Sequence, residues 1–143
     1  MKQNNGLIIP AIIFLFFHLV FLFPTACFGQ NENKGEHQIQ IEKIFICRGV
    51  VNRTPIEAGD FFSHDVKKLY CFTRVVGAQE DTEIIHNWYH KGKLTSRIVL
   101  PVKSSNWRTF SMKDISPDAT GEWNVEILLK DGRSLKNVYF LIR

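Results

Sequence analysis

Two short blocks hold most of the side chains able to do chemistry. One is His86-Asn87-Trp88-Tyr89-His90, the other Trp107-Arg108-Thr109-Phe110-Ser111. An imidazole can ligate a metal or shuttle a proton, a serine can act as a nucleophile beside a base, and a guanidinium can clamp an anion. Spacing narrows these options. His86, Trp88 and His90 recur at period two, so a strand puts them on one face, with the histidines about 13 Å apart at ~3.3 Å per residue. They cannot share one ion, and a metal role for His86 would need a ligand from a neighbouring strand. The simpler reading makes Trp88 a core residue with His86 hydrogen-bonded beside it. In the second block the same alternation puts Trp107, Thr109 and Ser111 on one side and Arg108 and Phe110 on the other.

The sharper reading joins the blocks into a surface. An exposed tryptophan with Arg108 and His86 would stack a sugar or seat a peptide, and Trp and Arg are the residues enriched at binding hot spots. The binding candidates are therefore His86, Trp88, Trp107, Arg108 and Ser111, with Arg53 added. Arg53 stands before a turn proline and, with Asp60, suggests a buried or loop-closing ion pair; a solvated surface charge is the other reading. Catalysis finds no support: there is no G-x-S-x-G elbow, no H-E-x-x-H and no phosphate-binding glycine loop. Asp114 and Asp118 lie in a turn-rich stretch and read as solvated. No catalytic residue, metal or cofactor is assigned.

These blocks need strands to hold them. Strand signals recur at Ile39–Arg48, Lys67–Val76, Glu83–His90, Leu94–Val102, Trp107–Met112, Trp123–Lys130 and Ser134–Ile142. Asp131-Gly132 between the last two runs predicts a closing hairpin. Asn52–Phe62, with Pro55 and Gly59, reads as a turn region. No long run of helical period follows residue 38. About seven short strands with frequent turns predict an all-β, immunoglobulin-like antiparallel sandwich.

The amino terminus is different. Residues 1–29 carry one charge, Lys2, and Leu7–Phe23 is almost continuously apolar. That pattern is a secretory leader, with cleavage expected after Gly29. Lipid attachment at Cys27 and retention as a single-span anchor are the alternatives, and either would tie the chain to a membrane through this segment alone. All three place the remainder outside the cytoplasm, in the periplasm or envelope. Residues 30–38 read as a linker and 39–143 as one domain, large enough for a single core. Cys47 and Cys71 form an even pair in an oxidising compartment, which predicts a disulfide; two buried thiols are the other reading. The net charge of +4, from 18 Lys+Arg and 14 Asp+Glu, is spread in runs no longer than two. That excludes nucleic acid as the expected partner.

From Cys47 to Phe140 the chain resembles a bacterial family, domain of unknown function 2914. The residues that carry the likeness are Asn52-Arg53-x-Pro55, Phe61 or Phe62, Tyr70, His86-Asn87-Trp88-Tyr89, Trp107-Arg108-Thr109-Phe110-Ser111, Gly121-Glu122-Trp123-Asn124-Val125 and Phe140. Phe110 stands where the family often has tryptophan. The resemblance implies an envelope or secreted module and assigns no activity. The expectation is an exported, non-enzymatic binding module, with an envelope protein as partner or, alternatively, a glycan.

Overall fold

A computed structural model describes residues 38–143. The expected leader, Cys27 and nearly all of the expected linker lie outside the described residues. Nine strands follow: β1 (Gln40–Val51), β2 (Thr54–Ala58), β3 (Phe61–Phe62), β4 (Lys68–Val76), β5 (Thr82–His90), β6 (Lys93–Val102), β7 (Asn106–Asp114), β8 (Gly121–Leu129) and β9 (Ser134–Ile142). They form two sheets, of order β2-β1-β4-β7 and β3-β9-β8-β5-β6. Neighbours pair antiparallel except β3, which runs parallel to β9. Without β2 and β3, the rest is a seven-strand immunoglobulin-like sandwich, β1-β4-β7 facing β9-β8-β5-β6.

Both additional strands come from the stretch that reads as turn. Asn52 and Arg53 have φ of 48° and 59°, the left-handed pair of a tight hairpin whose twist matches its strands. Pro55 sits on the edge strand β2, where a missing N–H costs no ladder bond on the outer side. Phe61 and Phe62 add a short edge to β9 and thereby turn Phe62 inward. The Asp131-Gly132 hairpin forms as the sequence predicts. Gly132 takes φ of 89°, and the Asp131 carboxylate accepts from the Arg133 amide at 2.9 Å.

The core lies between the sheets, and alternation along each strand decides what enters it. Ile84, His86 and Trp88 from β5 meet Trp123, Val125 and Ile127 from β8, with Leu69, Cys71 and Val75 from β4 opposite. Phe140 is the aromatic hub. It meets Trp88 edge-on at 6.2 Å, lies nearly parallel to Trp123 at 6.0 Å, and takes the edge of Phe62 at 6.0 Å. Each such side chain, fully buried, contributes roughly 1.5–3 kcal/mol.

The expected disulfide is absent: Cys47 and Cys71 are both free and both buried. The register gives the reason. Cys71 pairs directly with Ile46, so these two share a face and Cys47, the next residue, points to the other. Two thiols on opposite faces of one sheet cannot meet. Burial raises both thiols above their ordinary range, so neither is a ready nucleophile.

Candidate functional site

The two chemistry-bearing blocks meet, and they meet inside the core. β5 sends His86 and Trp88 inward, β7 sends Ser111, and β4 sends Thr73. The His86 ring lies with Nδ1 2.7 Å from Ser111 Oγ and Nε2 3.2 Å from Thr73 Oγ1. The Trp88 indole donates to the same Ser111 oxygen at 2.9 Å. An indole only donates, so Ser111 accepts from it. A neutral imidazole carries its proton on one ring nitrogen, and either tautomer bonds both hydroxyls, since each hydroxyl can donate or accept. Desolvation by burial supports the neutral state, holding the His86 pKa down at about 3.

A serine 2.7 Å from an imidazole is the geometry of a nucleophile and its base. Here its surroundings remove that chemistry. His86, Trp88, Thr73 and Ser111 are all buried between the sheets, and among the described residues they line none of the four surface cavities. Their bonds instead tie β4 and β7 of one sheet to β5 of the other. No buried side-chain nitrogen or oxygen among the described residues lacks a partner, as a stable polar network in a low-dielectric core requires. His90 stacks on Trp123 at 4.5 Å and meets the Thr120 carbonyl at 2.9 Å, so it too is a packing residue.

The outer face of the four-stranded sheet holds the accessible candidates. Here register brings three strands into two parallel rows. Lys43, Arg74 and Arg108 stand side by side, and next to them Phe45, Phe72 and Phe110. Phe45 stacks with Phe72 at 6.5 Å, and Tyr70 presents an edge to Phe110 at 5.9 Å. Phe72 in the middle is buried, while Phe45 and Phe110 at the flanks are 40% and 44% exposed. The β1–β2 turn supplies a wall: Arg53, Thr54 and Pro55 close one side of a cavity of about 310 Å³ whose other walls come from these two rows.

Arg53 does not close a loop onto Asp60. Its guanidinium carbon lies 5.8 Å from the centre of the Trp107 ring, within reach of a cation–π contact. Four cations therefore surround one cavity. Among the described residues the carboxylate paired with them is Glu42, 2.8 Å from Arg74 Nε; the Asn106 side chain accepts from the same nitrogen at 3.0 Å. No group of three or more His, Cys, Asp or Glu side chains suited to a metal occurs among the described residues.

The candidates thus divide. His86, Trp88 and Ser111 are interior, Trp107 is half-buried against the core, and Arg53 and Arg108 are at the surface cavity. Sequence reading missed Lys43, Phe45, Phe72 and Arg74. A signal for them exists: Lys43-x-Phe45, Phe72-x-Arg74 and Arg108-x-Phe110 repeat one cation–aromatic spacing. The order is reversed in the middle strand, as antiparallel neighbours need to align like with like.

No curated protein matches the chain. A family match starts at Asp81, after Asn52, Arg53, Pro55, Phe61, Phe62 and Tyr70, and takes in the His86–Tyr89, Trp107–Ser111 and Gly121–Val125 blocks with Phe140. It covers residues 81–142, and over that segment, from β5 to β9, the chain matches the family DUF2914, described as protein of unknown function.

Proposed function

We propose that this chain is an exported, non-enzymatic envelope module that binds a protein partner through the outer face of its four-stranded sheet. The observation that carries the reading is the row of Lys43, Arg74 and Arg108 beside the row of Phe45, Phe72 and Phe110. Cations next to the exposed Phe45 and Phe110 rings complement a segment that carries acidic and apolar side chains on one face. An extended segment does so with these two kinds at every second position and small polar residues between, because successive side chains point to opposite faces. The charge supplies steering and orientation, and the phenylalanines supply the buried area. Export rests on the composition of residues 1–29, a single lysine ahead of a long apolar run.

The test is fluorescence anisotropy with a labelled peptide of Glu-Ser-Leu-Ser repeats, titrated with the chain purified from the envelope fraction. Binding is expected to weaken with added salt and to fall about tenfold or more in Arg108→Glu and in Phe110→Ser, a change of at least ~1.4 kcal/mol. A peptide that does not bind, or binds both variants as tightly as the native chain, overturns the binding face. Recovery of the chain in the cytoplasmic fraction overturns export.

A further inference from the structure

The outer face of the five-stranded sheet carries a different chemistry. Register places Leu94, Tyr89, Asn124 and Tyr139 in one row across β6, β5, β8 and β9. Arg97, Asn87, Glu126 and Asn137 form the next. These groups are already tied together. Asn124 donates to Asn137 at 3.0 Å, the Tyr89 hydroxyl donates to Glu126 at 3.3 Å, and Asn87 donates to that hydroxyl at 3.4 Å. Through its hydroxyl Tyr89 reaches both its own strand and the next, and it is half-buried. Tyr139 is 69% exposed and borders a cavity of about 510 Å³ with Asp60 and Glu122.

We propose that this face binds a β-1,4-linked oligosaccharide. Tyr89 and Tyr139 are separated by one strand, so their positions lie about 9–10 Å apart. That matches alternate rings of an extended β-1,4 chain, which expose apolar CH faces to flat aromatic rings. Between them Asn124, Asn137 and Glu126 offer both donors and acceptors to hydroxyl groups. The face takes a ligand rich in hydroxyls, where the opposite sheet takes an acidic one. The proposal stands on residues of β5, β8 and β9 and shares none with the cation–phenylalanine face.

Isothermal titration of the full chain with cellohexaose, chitohexaose and the α-linked maltohexaose tests it. Binding to at least one β-linked hexasaccharide is expected, with maltohexaose inert. A preference for chitohexaose identifies an N-acetylated strand, a preference for cellohexaose an unsubstituted one. Tyr139→Ala, at an exposed position outside the core, is expected to weaken binding about tenfold or more, while Arg108→Glu on the other sheet leaves it unchanged. No binding of either β-linked sugar at ~1 mM, equal affinity for maltohexaose, or full affinity in Tyr139→Ala overturns the proposal.

Discussion

Along β7, adjacent residues do opposite work. Ser111 turns inward, where it accepts from Trp88 and meets His86 across the sandwich. Arg108 and Phe110 turn outward into two rows that reach across three strands. By residue type alone the inward set looks the more reactive, with a serine, an imidazole and a thiol in one small volume. Access reverses that ranking. The inward set holds the sheets together, and the outward set, of chemically plainer side chains, is what a partner can touch.

Acid should separate the two halves most strongly. Burial holds the His86 pKa near 3 in the folded chain against an ordinary 6.5. Between those values the unfolded chain takes up a proton that the folded chain does not. The stabilisation is complete above pH 6.5 and is lost as pH falls towards 3, on the order of 5 kcal/mol in all. Urea midpoints measured across that window should fall in the native chain more steeply than in His86→Asn. Parallel profiles for the two would mean that His86 is not held neutral in the interior.

Removing the shared hydroxyl comes next. Ser111→Ala leaves both the Trp88 indole N–H and His86 Nδ1 without their partner in a dry core. At roughly 1–3 kcal/mol for each group left unsatisfied, the cost is about 2–6 kcal/mol. Urea unfolding checks it, and a change under about 0.5 kcal/mol would put Ser111 in the class of ordinary surface positions. The smallest effect belongs to the outer side of the same strand. Arg108→Gln should alter stability by no more than about 0.5 kcal/mol in the same assay. A larger loss would make the outer row part of the fold's support and blur the division.

Local pattern made most of the sandwich legible. Alternation in Lys67–Val76 and Glu83–His90 gives β4 and β5 and their faces, and Asp131-Gly132 gives the β8–β9 hairpin. What failed depended on partners distant in sequence. Asn52–Phe62 has the residues of a turn, yet Pro55 is acceptable on an edge strand and Phe62 is drawn in by Phe140. The spacing of Cys47 and Cys71 says nothing of faces; only the pairing of Cys71 with Ile46 does. The convergence of His86 with Ser111 was open for the same reason, since alternation gives a side to each residue but does not say which side is the interior. The two rows on the four-stranded sheet exist only through the register of β1, β4 and β7, which come from three separate parts of the chain.

The most direct test of the division is an NMR titration of the chain with the Glu-Ser-Leu-Ser repeat peptide. The account predicts shifts at Lys43, Phe45, Arg108 and Phe110, with the His86 ring and the Trp88 indole N–H unmoved. Shifts centred on His86, Trp88 and Ser111, with the outer rows silent, would contradict it.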